Sequence, residues 1–245
     1  MWWFWRSFIY NLKSGIEVTL VVSNQAVRDY LEAIGLFEFC SQNYLEPSEI
    51  IEIPSFTAMP LRRVNRETMV YYIQRTQDYF QGLCPGKDLG MLNITISELV
   101  NNVYDHSKSP VDSYVFSQFY PHLNKIKIAV SDLGYGIPRT VNKFFQEKDL
   151  TPLSQVEAVQ WALKLNSTTK SMPYNAGRGL DTINSFVDAN QGEWRLFSDQ
   201  VLMSSQMGKA RFDTNPIEDF IGTVIEISID INNLENLENQ DFLDW

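Results

Sequence analysis

Ser97-Glu98-Leu99-Val100-Asn101-Asn102-Val103-Tyr104-Asp105-His106, followed after a gap by Asp132-Leu133-Gly134-Tyr135-Gly136-Ile137-Pro138, is the stretch from which the rest of the chain is read. On a helix, Glu98 and Asn102 stand four residues apart and share one face, with their Cβ atoms about 5–6 Å apart. An acid or base then lies beside an amide oxygen able to hold a hard cation. Ile126 to Val130 reads as an apolar strand that Asp132 ends, and Gly134 and Gly136 let the backbone turn tightly against a ligand. A carboxylate at that turn can accept from an exocyclic amine. Taken alone, the helical pair is also an ordinary acid and amide on a helix surface, and Asp132 an Asx residue that forms a turn.

Two later glycine-bearing motifs decide between these readings. Gly177-Arg178-Gly179-Leu180 precedes a helical pattern, and Gly222-Thr223 precedes the final apolar strand. With these in place the chain resembles the ATP-binding domain shared by histidine kinases, type II topoisomerase ATPases, heat-shock chaperone ATPases and mismatch-repair ATPases, the GHKL superfamily. The family's Glu-x-x-x-Asn box falls on Glu98 and Asn102, its Asp-x-Gly-x-Gly box on Asp132, Gly134 and Gly136, its Gly-x-Gly-Leu box on Gly177, Gly179 and Leu180, and its Gly-Thr on Gly222 and Thr223. The four stand in family order over residues 88 to 230.

The resemblance implies an α/β fold, the two-layer sandwich of Bergerat type in which a mixed sheet is backed by helices. It implies ATP and Mg2+ as cofactors, with Asn102 as the metal ligand and Glu98 as the catalytic group that orients or deprotonates an attacking water or hydroxyl. It places adenine at Asp132 and Thr223, against the turn of Gly134, Gly136 and Ile137. Phosphate is expected at Gly177, Arg178, Gly179 and Leu180, where free N–H groups and a positive helix end suit anions. Thr168 and Lys170, with Ser167 and Thr169, lie in a polar run, Asn166 to Ala176, expected to form a lid over the triphosphate. His106 resembles the anti-sigma-factor serine kinases more than the sensor kinases, which carry a basic residue where this chain has Asp105. Lys108 or the lid is then expected to supply the missing charge. His106 is read either as a packed helix residue or as part of the site.

Composition narrows the classes of function. The chain has 245 residues, 44% of them apolar and 13% aromatic, enough for a packed core. A net charge of -10 disfavours nucleic acid as a partner, since phosphate neutralisation needs clustered Lys and Arg. Cys40 and Cys84 stand in unrelated contexts, which gives neither a disulfide framework nor a cysteine zinc site and suits a reducing cytoplasm. Met1 to Tyr10, MWWFWRSFIY, is too short to span a bilayer and lacks the marks of a signal peptide. It reads as a buried edge strand or docking arm, with adhesion to a membrane surface or a partner as the alternatives.

Three regions are expected. Residues 1–60 form a small α/β region, loosely similar to STAS modules or else an extension packed on the core, with a strand over 15–22, a helix capped by Asn24 and ended by Gly35, a strand over 50–53 and a Pro-bounded link over 54–60. Residues 61–231 form the ATP-binding domain. Its pattern gives helices over 65–83, 91–104, 155–165 and 180–189, strands over 113–119 and 125–130 joined as a hairpin, and strands near 192–197, 201–207 and 223–229. Residues 232–245 are an acidic, Asn-rich tail, read as frayed or as a helix for a partner. Neither His106 nor His122 lies on a dimerising hairpin ahead of the domain, which disfavours autophosphorylation. The expected function is an ATP-dependent regulatory protein acting on a separate protein partner as kinase or ATPase in signal transduction. The alternative is a nucleotide-sensing interaction module, and a homodimer is left open.

Overall fold

A computed structural model of the chain describes residues 19, 21–37, 57–106, 113–164, 179–214 and 220–237. Four of the described helices begin where a side chain satisfies free N–H groups of the first turn. Asn24 accepts from Val27 N ahead of α1 (Gln25–Ala33), and Asn65 forms a capping box with Thr68 ahead of α2 (Arg66–Leu83). Asp88 Oδ1 accepts from Gly90 N at 2.7 Å at the start of α3 (Gly90–His106). Gly136 and Pro138 open α4 (Ile137–Glu147), Ser154 and Glu157 box the start of α5 (Gln155–Ala162), and Gly179 begins α6 (Gly179–Ala189).

The described residues form seven strands: β1 (Ala58–Val64), β2 (Ser113–Tyr120), β3 (Lys125–Ser131), β4 (Glu193–Asp199), β5 (Val201–Gln206), β6 (Lys209–Thr214) and β7 (Phe220–Asp230). They form one sheet in the order β1-β2-β3-β7-β4-β5-β6. Every ladder among the described residues is antiparallel, which corrects the expectation of a mixed sheet. The reason is the position of β7. The crossover through α4, α5 and α6 sets β4 parallel to β3, but β7 inserts between them and pairs antiparallel with both.

Helices cover one face of this sheet, so the fold is the expected two-layer α/β sandwich. Alternate residues of each strand point into that layer: Val115 and Phe119 from β2, Ile126, Ile128 and Val130 from β3, Ile225, Ile227 and Ile229 from β7, and Trp194 and Leu196 from β4. They meet Tyr72 and Phe80 of α2, Leu92, Ile96, Leu99 and Val103 of α3, and Ile183 and Val187 of α6. Trp194 is fully buried, and its ring N–H donates to Asn184 Oδ1 at 3.1 Å. Removing a ring of that size from water contributes roughly 5 kcal/mol of transfer free energy.

The opposite face carries a smaller cluster, in which Ile34 and Leu36 after α1 pack on Ala58, Leu61 and Tyr114. Leu61 N donates to Ile34 O at 3.0 Å, and Tyr30 Oη donates to Gln118 Oε1 at 2.9 Å. The segment 21–37 is thus fastened to β1 and β2. Of the strand expected over 15–22, Thr19, Val21 and Val22 are not in a strand, because β-branched residues hold that form only against a ladder partner. Its other residues, the strand expected over 50–53, Cys40 and the aromatic segment 1–10 lie outside the described residues. The Pro-bounded link reaches into β1, which spans both sides of residue 60. Pro60 fits there because β1 is an edge strand, bulged between Met59 and Arg62.

Six residues of the expected tail dock on the core. Leu234 is buried, Asp88 N donates to Glu235 O at 2.9 Å, Leu237 N donates to Gly86 O at 2.8 Å, and Lys87 Nζ reaches Leu234 O at 3.0 Å. This strap fixes the loop whose Asp88 caps α3; residues 238–245 lie outside the described residues. Leu234→Ala is expected to cost about 2–3 kcal/mol and to speed amide exchange at Lys87 and Asp88. Urea denaturation and exchange mass spectrometry read both effects. Cys84 is a buried free thiol whose pKa burial raises. No helix among the described residues is long and apolar enough to cross a membrane.

Candidate functional site

The alternation that builds the core also builds the site. Ile126, Ile128 and Val130 face the helices, and Asp132, next in that series, follows directly on β3. Asp132 is only 4% exposed. Its N–H donates to Thr223 O at 2.9 Å, and its Oδ1 accepts from Gly134 N at 2.6 Å. The residue therefore does form the Asx turn, and it does so as a buried acceptor. Desolvation pushes its pKa up to about 7, against the lowering effect of hydrogen bonds from the backbone of Gly134 and Thr223.

Two glycines make room for this arrangement. Gly136 has φ +80, and a Cβ on it would lie 2.9 Å from Ser198 Oγ and 3.2 Å from Gly222 O. Gly222 has φ +89, and a Cβ there would fall inside the surface of the Asp132 carbonyl oxygen, 2.8 Å from its carbon. The backbone after β3 and the start of β7 thus touch at a distance only glycine permits. Ser198 holds the third side. Its Oγ accepts from Ile137 N at 2.8 Å and lies 3.1 Å from Thr223 Oγ1.

Asp132, Thr223 and Ser198 consequently stand in one row across β3, β7 and β4, since Ser131 pairs with Val224 and Thr223 pairs with Ser198. Beside the row, Asp199 is buried with φ +51 and pairs with Arg139, whose Nε lies 3.0 Å from Asp199 Oδ1. Sequence reasoning reaches Asp132, Gly134, Gly136, Ile137 and Thr223, and the structure brings all five together. It misses Ser198 and Asp199, for which the only local signal is a pair of polar residues ending an apolar strand.

Glu98 and Asn102 are both half-buried on α3, which packs on β2 and β3. Asn102 Nδ2 is enclosed without a hydrogen-bond partner. An enclosed, unsatisfied amide atom costs about 1–3 kcal/mol unless a ligand completes it. A half-turn of the amide would place Oδ1 there instead, which suits a hard cation. No group of three or more His, Cys, Asp or Glu side chains among the described residues could hold a metal.

Asp105 and His106 end α3, but their side chains lie outside the described residues. Thr168, Lys170, Gly177 and Arg178 lie outside them as well, as do Lys108, Ser167 and Thr169. Gly179 occupies the first position of α6, and Leu180, half-buried, packs against the core.

No family model and no curated protein matches the chain. Among solved structures it is similar to the topoisomerase IV ATP-binding domain of Francisella tularensis in complex with a small-molecule inhibitor, at 14% identity and a TM-score of 0.32. The alignment covers 75% of this chain and 46% of that one, so the chain spans less than half its length.

Proposed function

We propose that this chain is an ATP-binding regulatory protein of the GHKL superfamily, with adenine held at the row of Asp132 and Thr223 and the triphosphate toward Asn102. The observation that carries the reading is Asp132: a carboxylate buried at the end of an apolar strand, framed by Gly136 and Gly222 at contact distances no other residue allows. Such an acceptor selects a base with an amino group, because another base would leave it buried and unpaired.

In this reading the Asn102 amide supplies an oxygen to magnesium, which when bound offsets the charge of the phosphates. Glu98, one helical turn earlier on the same face, accepts the proton of an attacking water or of a partner's hydroxyl. Gly179 and the start of α6 offer backbone N–H groups to phosphate oxygens, with Arg178, Thr168 and Lys170 as the charged and hydroxyl groups of the lid. The acceptor is a separate protein in a kinase, water in an ATPase.

Titration calorimetry with magnesium and a non-hydrolysable ATP analogue tests the site. Wild type and Glu98→Gln are expected to bind alike, Asp132→Ala to lose at least about tenfold in affinity, and Glu98→Gln to lose turnover. Folded wild-type protein that gives no heat would overturn the reading. Labelled ATP then separates the activities: label on a partner marks a kinase, free phosphate an ATPase, and binding with neither marks a nucleotide-sensing module.

A further inference from the structure

Ser198 is fully buried, yet its hydroxyl lies within reach of three polar groups on two different segments. It accepts from Ile137 N at 2.8 Å and lies 3.2 Å from Gly222 O and 3.1 Å from Thr223 Oγ1. A serine hydroxyl has one proton and two lone pairs, so the three contacts cannot be independent. If the Ser198 proton goes to Gly222 O, the second lone pair receives the Thr223 proton. Thr223 then offers only lone pairs outward. If instead the Ser198 proton goes to Thr223 Oγ1, the Thr223 proton is released to a ligand.

The first arrangement pairs every donor within the protein, while the second leaves one hydroxyl proton for an acceptor brought from outside. Thr223 is half-buried, where Ser198 is not exposed at all, so any ligand at the row meets Thr223 and never Ser198. Gly136 completes the case. The turn before Ile137 approaches Ser198 so closely that a Cβ at Gly136 would stand 2.9 Å from the hydroxyl. The same hydroxyl therefore ties the start of α4 to the Gly222-Thr223 pair.

Resting on the adenine reading of the site, we infer that Ser198 is a positioning residue for base selection: it sets the direction of the Thr223 hydroxyl proton beside Asp132. A purine with an acceptor next to its amino group, as in adenine, draws the Thr223 proton outward while Ser198 supplies the compensating donor. Guanine presents the reverse pattern, a ring N–H beside a carbonyl, and finds an anionic acceptor where it needs a donor. Ser198 acts through Thr223 and touches no ligand. It therefore affects which base is bound and leaves the phosphate end alone.

The test is the affinity for ATP and for GTP, each with magnesium, in wild type, Ser198→Ala, Thr223→Val and the double variant. Ser198→Ala is expected to lower ATP affinity about tenfold and to shrink the preference for ATP over GTP. In the Thr223→Val background the same change should alter the preference no further. Ser198→Thr, which keeps the hydroxyl, is expected to keep the preference. If Ser198→Ala does not fold, Ser198→Cys, whose thiol is a weak donor, is expected to show the same shrinkage.

Wild type that binds neither nucleotide overturns the reading of the site itself. Wild type that prefers ATP, with a Ser198→Ala or Ser198→Cys protein that keeps the preference in full, overturns this inference alone. So does an equal loss of preference on replacing Ser198 in the Thr223→Val background.

Discussion

Gly222→Ala is expected to leave a protein that barely folds, with a loss of stability beyond about 4 kcal/mol. The new Cβ would sit inside the Asp132 carbonyl oxygen and 2.9 Å from Leu133 Cα, and neither is the end of a flexible side chain that could swing away. The φ of +89 adds a backbone cost of about 1–3 kcal/mol for a non-glycine residue. Relief would require β3 and β7 to part at the row that holds Asp132. Gly82→Ala is the matched control. Gly82 lies within α2, and its added Cβ would meet nothing within 4 Å, so that variant should gain about 0.5–1 kcal/mol. Urea denaturation of the two proteins measures both effects, and a Gly222→Ala midpoint equal to wild type would show that the close approach is absent.

Asp132 is expected to make stability and nucleotide affinity respond to pH in opposite directions. Its folded pKa of about 7 lies above the ordinary 3.8 because of desolvation. Between these values the folded state holds the proton and the unfolded state has released it. Stability from this group is therefore full below about pH 4 and falls as pH rises to about 7, by an amount of order 4 kcal/mol. Asp132→Asn, which mimics the protonated acid, should lack this loss. Its denaturation midpoint should gain on wild type between pH 5 and pH 8, and parallel curves would reject the shift. In the adenine reading the base donates to the ionised acid, so binding expels the proton and tightens as pH rises through 7. Calorimetry at pH 6 in buffers of different ionisation enthalpy should record that release.

What the sequence makes legible is what local chemistry encodes. Asn24, Asn65 and Ser154 cap helices because their side chains reach N–H groups two or three residues on. The turn after Asp132 is readable for the same reason. Three features are not readable, because their causes lie far along the chain. Ser198 joins the site only because β4 pairs with β7, and nothing in Phe197-Ser198-Asp199 names that partner. Strand β1 tolerates a proline because, among the described strands, it pairs on one side alone and is bulged there, a fact set by sheet order. The segment after β7 looks frayed by composition, and it docks because the loop after α2 presents unpaired backbone groups to it. Helix α4 is a plainer omission: Pro138 in its first turn is a local start signal.

The place of β7 also orders assembly. Strands β2 and β3 are joined by a short turn, and β4, β5 and β6 by two tight hairpins, so each group can pair soon after it leaves the ribosome. Among the described residues no ladder joins β3 to β4 until residues 220–230 slide between them like a keystone. A nascent chain lacking that strand would leave the facing edges of β3 and β4 unpaired and Thr223 missing from between Asp132 and Ser198, and capture of a fluorescent adenine analogue would therefore report the closing event of folding.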